Sequence, residues 1–194
     1  MFIRLATERD LPQILAIYAP YVENTTISFE YTPPTPEEFR QRFLKITEKF
    51  PWLVWEENGE ILGYAYACAP FERAAYQWCC EPSIYLRQDA RGRGIGKKLY
   101  TVLEEILTQQ GFRVSYAIIT SENTDSFAFH EHMGYHRLAA FPGCGYKHGK
   151  LLGIIWMEKT LFSAELPMNP PVPFQTFVQT AKNCPDILAN LTLS

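Results

Sequence analysis

The sequence predicts an α/β fold, a mixed sheet with helices packed on it. Three observations carry that expectation. WLVWEENGEILGYAYA (52–67) holds two apolar runs joined at Asn58-Gly59, the signal of a tight hairpin. Ile95, Leu99, Val102, Leu103, Ile106 and Leu107 fall on one face of a helix that ends near Gly111. From residue 76 onward, strand and helix patterns alternate.

The elements follow in order. FIRLA (2–6) reads as a first strand. Thr7 and Asp10 have capping-box spacing, and Ile14, Leu15, Ile17, Tyr18 and Tyr21 continue with helical period. TISFEY (26–31) is β-like. Thr35-Pro36-Glu37-Glu38 combines a cap, a proline at the first helical position and a glutamate three after the cap, so a helix runs to about Lys49. After the hairpin, YQWCCEPSIYL (76–86) is a third strand. A glycine-rich loop and the periodic helix come next, then the strand VSYAIIT (114–120) and a short helix over 127–133 that stops at Gly134. HRLAAF (136–141) and LLGIIWMEKTL (151–161) are the last strands. Beyond Phe162, LPMNPPVPF is proline-rich and aperiodic, so residues 1–162 are expected to form the domain and 163–194 an extended arm or loose tail.

Composition narrows the function classes. A 47% hydrophobic and 20% charged content suits a globular chain able to bury a core. The net charge of −3 argues against nucleic acid and against anionic membranes as partners. MFIRLATERD has no apolar run of signal-peptide length, and no segment approaches a membrane span, so a cytoplasmic protein is expected. The five cysteines are odd in number, and they lack zinc spacing with His130, His132, His136 or His148. Reduced thiols and no metal are expected.

The stretch RQDARGRGIGKKLY (87–100) carries most of the chemistry. A dinucleotide fingerprint needs GxGxxG, but in Gly92-x-Gly94-x-Gly96 the third glycine comes one place early. A P-loop would need a glycine at position 91 and a hydroxyl at 98, where Arg91 and Lys98 stand. Glycines still let successive N–H groups converge, and a helix N-terminus adds its dipole. Arg87, Arg91, Arg93, Lys97 and Lys98 raise the local potential. The loop is therefore either a pyrophosphate cradle or an ordinary glycine turn with a solvated basic face.

Arg91-Gly92-Arg93-Gly94-Ile95-Gly96, between the strand SIYL and an amphipathic helix, resembles the [RQ]xxGx[GA] acetyl-CoA loop of the GNAT N-acetyltransferase superfamily. IYAPYVENTTISFEY, FPWLVWEENGEILGYAYA, RAAYQWCCEPSIYL, NTDSFAFHEHMGY and GYKHGK extend the likeness, in order, to the phosphinothricin and methionine sulfone/sulfoximine acetyltransferase group over about residues 2–162. The resemblance implies the GNAT fold, with a mostly antiparallel sheet, a homodimer, acetyl-CoA as co-substrate and a small primary amine as acceptor. It implies that Ile84, Tyr85 and Leu86 offer backbone hydrogen bonds to the pantetheine arm. Arg91, Gly92, Arg93, Gly94, Ile95, Gly96 and Lys97 then hold the pyrophosphate. Asn123 lies against the pantetheine, and His132 is either near the far side of the cofactor or an exposed helix residue.

An alkyl amine is mostly protonated at neutral pH and needs a base before it can attack. Glu81 stands in an apolar and aromatic strand, where a carboxylate is costly without a task or a partner, and burial there raises its pKa. The resemblance puts the catalytic glutamate at the same position; a rim carboxylate or structural ion pair is the alternative. His130 stands where many GNAT enzymes carry a tyrosine, and is either a proton donor to the leaving thiolate or a packed helix histidine. Ala74, Ala75 and Tyr76, with Arg73 beside them, match the family's substrate segment. An arginine there would suit an acceptor carboxylate or phosphinate. Phe29, Tyr31 and Trp78 are either pocket walls or core aromatics.

The chain departs from the group at two places. Pro82 follows the base and removes a backbone donor. Lys150-Leu151-Leu152-Gly153 lacks the aromatic and acidic residues usual after the GYKHG segment, which bears on the acceptor. Two other readings compete with a small-molecule N-acetyltransferase. One is a protein or peptide N-acetyltransferase, which would favour an open acidic groove. The other is a non-catalytic acyl-CoA-binding module, against which Glu81 speaks.

Overall fold

The structure is a computed structural model that describes residues 2–163 and 165–182. Its organisation follows from the alternation in β2 (Trp52–Glu57), where Trp52 and Val54 pack toward one side while Leu53 and Trp55 pack toward the other. All four are buried. A strand apolar on both faces belongs inside a sheet covered by helices above and below.

β1 (Phe2–Leu5) pairs antiparallel with β2, and β2 joins β3 (Glu60–Cys68) through the expected Asn58-Gly59 turn. Both turn residues have positive φ, as that turn requires. β4 (Cys79–Leu86), β5 (Val114–Thr120), β6 (His136–Lys147) and β7 (Lys150–Thr160) complete seven strands in the order β1-β2-β3-β4-β5-β7-β6. Among the described residues only β4 and β5 run parallel, and they pair at just two positions, Cys79 with Val114 and Cys80 with Ser115. Beyond these the two strands separate, so the sheet opens into a wedge.

α1 (Leu11–Asn24) and α2 (Pro36–Thr47) cover one face, where Ile14, Tyr18, Phe39 and Phe43 pack with Trp52, Val54 and Tyr64. The capping box at Thr35 forms as expected, with Glu38 N–H donating to Thr35 Oγ1 at 3.3 Å and Thr35 N–H to the Glu38 carboxylate at 2.8 Å. α3 (Ile95–Gln110) covers the other face through Leu99, Leu103 and Leu107. α4 (Thr124–His132) closes the far side of the wedge.

Three elements differ from the sequence expectation. Residues 26–31 form no strand; they make a bent connection between α1 and α2. Thr25 Oγ1 accepts from Ile27 N–H and Ser28 Oγ from Glu30 N–H, so side chains take the bonds a ladder would have used. α4 begins three residues earlier than expected, because the Asn123 side chain accepts from Ser126 N–H and caps it. Part of the presumed tail is a helix, α5 (Phe174–Lys182), whose Phe174 and Phe177 are buried against the α3 side of the core. The proline-rich segment leading to it is tied down by Val172 N–H to Gln110 O at 2.8 Å and by Trp78 Nε1–H to Asn169 O at 2.8 Å. Residues 183–194, including Cys184, lie outside the described residues.

Candidate active site

Where β4 and β5 part, a cleft of about 410 Å³ opens. It runs from Glu81 along Ile84–Leu86 to Gly92 and Gly96, with Thr120, Ser126 and His130 on the opposite wall. Beyond Cys80, no strand among the described residues pairs with the β4 edge that faces the wedge. An extended ligand with peptide-like amides fits such an edge as an added strand. Thr120 Oγ1 is buried on the β5 wall, with no hydrogen-bond partner among the described residues, and suits a polar ligand there.

The glycine loop is shaped for close approach. Gly92 and Gly94 have φ of +73° and +78°, a conformation that favours glycine, and a Cβ at either would meet nothing within 4 Å. Gly96 has ordinary φ; a Cβ there would face Ile84 and Leu86 at 3.5 Å and project where the cleft needs room. Ile95, Gly96 and Lys97 open α3, so their N–H groups have no intrahelical acceptor. These donors and the helix dipole fit a pyrophosphate. Ile95 itself is buried and can contribute only its backbone.

The basic residues divide between structure and site. Arg87 pairs with Glu60 and Asp89, Arg93 pairs with Glu57 at 2.7 Å, and Lys98 lies over the Trp55 ring. Arg91 reaches the cleft, where its Nη2 donates to the Tyr21 hydroxyl at 3.0 Å. Lys97 Nζ lies 3.3 Å from His132 Nε2, and neither lines the cleft. Arg93 and His132 thus stand outside the residues that line the cleft.

Glu81 is the chemically distinctive residue. No hydrogen bond or ion pair to its carboxylate occurs among the described residues. Burial pushes its pKa from 4.5 up to about 7. Alternation along β4 decides where it points. Cys80, Ile84 and Leu86 pack with the α3 side, and Tyr85 packs with the α1–α2 side. Glu81 and Ser83 share the parity of Tyr85 and so face α1–α2.

His130 occupies the other wall and is 5% exposed. Its Nδ1 lies 2.7 Å from Ser126 O and its Nε2 lies 3.0 Å from the Tyr100 hydroxyl. Burial holds its pKa below the ordinary histidine value, so the ring is neutral at pH 7. Tyr100 continues to Tyr135 at 3.3 Å, and Tyr135 to Ser115 at 2.5 Å, forming a buried hydroxyl chain behind the histidine.

The expected acceptor residues stand outside the cleft lining. Ala74–Tyr76 form a short 3-10 turn ahead of β4, with Arg73 as its cap, and the Tyr76 ring packs 4.8 Å from Phe71. Phe29 rests against Gly145 of β6, and the Tyr31 hydroxyl donates to Tyr146 O at 2.7 Å. Both tie the α1–α2 connection to the β6–β7 hairpin. Lys147 strengthens this tie: it is 2% exposed and donates from Nζ to Val22 O and Ser28 O at 2.6 Å each. Asn123 lines the cleft, but its Oδ1 is engaged as the α4 cap.

Sequence reasoning missed Tyr21, Tyr100, Thr120 and Ser126. Tyr21 sits in a helical stripe that reads as core, and Tyr100 lies beside the α3 stripe without a signal of its own. Ser126, three residues after Asn123, matched the spacing of a cap, and that signal was available.

Comparison with known proteins agrees with this geometry. A model described as an acetyltransferase (GNAT) domain matches residues 3–156. The phosphinothricin N-acetyltransferase of Streptomyces viridochromogenes is 33% identical, covering 91% of this chain and 94% of that protein. The L-methionine sulfoximine/L-methionine sulfone acetyltransferase of Pseudomonas aeruginosa is 37% identical, over 82% of this chain and 94% of that protein. Among solved structures, a GNAT superfamily phosphinothricin acetyltransferase from Sinorhizobium meliloti, in complex with acetyl-CoA, is similar with a TM-score of 0.82 and 35% identity. That match covers 89% of this chain and 97% of the other.

Proposed function

Since the chain belongs to the GNAT acetyltransferase family, we propose that it moves the acetyl group of acetyl-CoA to the primary amine of a small amino-acid-like substrate by direct attack. Acceptors of the phosphinothricin or methionine sulfone/sulfoximine type, which the relatives' names carry, are the class to test first. The observation that carries the reading is the half-buried Glu81 carboxylate at the head of the cleft, which has no hydrogen-bond or ion-pair partner among the described residues. With a pKa of about 7, it can take a proton from an ammonium near neutrality and release it again.

Acetyl-CoA supplies an activated acyl group. The chain's own residues do the rest. N–H groups at the start of α3 hold the pyrophosphate, and the open β4 edge at Ile84–Leu86 holds the pantetheine. Glu81 takes the amine proton from the α1–α2 side. Backbone N–H groups near Tyr85–Leu86 polarise the carbonyl. A homodimer is part of the proposal: Leu138, Phe141, Tyr146 and Leu151 are exposed on the β6–β7 hairpin, an apolar surface suited to a second copy. So is a cytoplasmic setting, which the four free cysteines among the described residues support. No helix among the described residues is long and apolar enough to cross a membrane.

The test is free-thiol release from acetyl-CoA across a panel of phosphinothricin, methionine sulfone, methionine sulfoximine, free amino acids, polyamines and short peptides. Turnover confined to amino-acid-like amines and lost in Glu81→Gln is the expected result. Stabilisation by acetyl-CoA with turnover only on peptides would replace the small-molecule acceptor.

A further inference from the structure

We propose that Ser126 is the side chain that meets the departing sulfur, as a hydrogen-bond donor, and that His130 is its positioning residue. The inference rests on the acetyl-transfer reading above and assigns a role within that same cleft.

The hydrogen-bond pattern of His130 carries the argument. A carbonyl can only accept, so the 2.7 Å contact between Nδ1 and Ser126 O places the proton on Nδ1. Ser126 Oγ lies 3.3 Å from the same nitrogen and takes a second share of that N–H. On the neutral ring Nε2 then carries no proton, and it faces the buried Tyr100 hydroxyl at 3.0 Å. Tyr100 is fully buried. Both ring nitrogens are thus spent inside the protein, and no N–H remains to point into the cleft.

Ser126 remains. It lines the cleft, and its oxygen is engaged by His130 as an acceptor, which leaves its own O–H to face the ligand. Its backbone is anchored too, because Ser126 N–H donates to Asn123 Oδ1 at 3.2 Å. The position also suits the chemistry. Glu81 faces the α1–α2 side of the split sheet. Tyr100, His130's partner, packs with Phe129 and Ala117 on the α3–α4 side. An amine deprotonated on one side of the wedge expels a leaving group toward the other.

The step balances. A bond forms between the amine nitrogen and the acetyl carbon, and the carbon–sulfur bond breaks with its electron pair on sulfur. Glu81 takes the ammonium proton before attack and passes it to water, and the second proton, shed as the nitrogen becomes an amide, then goes to Glu81. The Ser126 O–H stabilises the charged sulfur without transferring its proton. The proton held by Glu81 passes to sulfur or water as products leave.

The test uses full-length protein and coenzyme A itself, titrating the bound thiol by thiolate absorbance, alongside initial rates. Removing a donor to a charged group should raise the pH at which the bound thiol ionises by about one unit or more in Ser126→Ala. The value of kcat should fall roughly 10- to 100-fold, with KM for acetyl-CoA little changed. Ser126→Thr should restore both. His130→Gln should reproduce the Ser126→Ala behaviour, and the double variant should be no worse than either single one. A Ser126→Ala enzyme that titrates and turns over like the parent, whatever His130→Gln does, would overturn the assignment. If His130→Gln does not fold, the two Ser126 variants decide alone, because Ser126 is a partly exposed helix position. Failure of the acetyl-transfer reading looks different: the unaltered protein would then turn over no amine, while the thiol titration would still report on Ser126.

Discussion

The Tyr21 hydroxyl donates to the Leu86 carbonyl at 2.5 Å and accepts from Arg91 Nη2 at 3.0 Å. One side chain of α1 thereby joins the open β4 edge to the first residue of the glycine loop. Tyr21→Phe should remove that link and leave the ring packed. A net hydrogen bond of about 1 kcal/mol corresponds to roughly a five-fold rise in KM for acetyl-CoA. The value of kcat should hold, since Tyr21 is on the cofactor side. Initial rates at varied acetyl-CoA would show it, and an unchanged KM would remove Tyr21 from cofactor binding.

Glu81 makes two linked predictions. In Glu81→Gln, kcat/KM should fall by about 10²- to 10⁴-fold, and in the parent kcat/KM should rise with pH through a limb near 7. The same group costs stability. Its folded pKa, about 7, lies above the ordinary 4.5, so the folded state binds the proton more tightly. Stability on this account is greatest below about pH 4.5 and declines as pH rises toward 7. The loss is on the order of 3 kcal/mol at about 1.4 kcal/mol per pH unit. Glu81→Gln should therefore raise Tm at pH 8 and leave it nearly unchanged at pH 4.5. Melting curves at the two pH values would settle this, and an equal effect at both would mean Glu81 is ionised without penalty.

Two glycines should behave oppositely. Gly92→Ala forces a side chain onto φ +73° and should cost about 1 kcal/mol of stability as well as acetyl-CoA affinity. Gly96→Ala sits within α3 at ordinary φ with only van der Waals neighbours, so the fold should tolerate it or gain up to about 1 kcal/mol. Its methyl group nevertheless enters the cradle, and acetyl-CoA binding should weaken by about ten-fold or more. Thermal melting with and without acetyl-CoA separates the two effects. Undiminished acetyl-CoA binding by the Gly96 variant would show that the pyrophosphate lies elsewhere.

Phe174 tests whether α5 belongs to the folded unit. It is buried against the cluster that holds Phe50 and Phe112, and its N–H donates to Lys49 O at 3.1 Å. Phe174→Ala should destabilise by about 3 kcal/mol, measured by urea unfolding. A change below about 0.5 kcal/mol would mean that α5 is only loosely docked.

Much of the molecule was written locally. The Asn58-Gly59 hairpin, the Thr35–Glu38 capping box and the α3 stripe ending at Gly111 are set by neighbours a few residues apart, and all form. Glu81 stood out because a carboxylate in an apolar strand is costly wherever that strand goes. The 92–96 glycines announced a special backbone for the same local reason. The α5 helix was hidden because prolines ahead of it masked the start of its short period, and its two phenylalanines have meaning only against Phe50 and Phe112.

Other features needed the chain to close on itself. Residues 26–31 have strand composition, yet the Thr25 and Ser28 side chains claim the Ile27 and Glu30 N–H groups there. Arg93 and Lys98 raise the local potential of the loop in sequence, but which groups they engage, Glu57 and the Trp55 ring far away in the chain, shows only in the fold. Whether His130 faces the cleft with an N–H depends on Tyr100, thirty residues distant in sequence. Sequence alone thus determined the fold class, the special backbone of the 92–96 loop and the unusual setting of the Glu81 carboxylate, because each rests on local conformation or on the cost of burying one charge. The partners of charged and hydroxyl groups were decided only by tertiary structure, since hydrogen bonding and ion pairing act over a few ångströms and sequence order does not say which residues come that close.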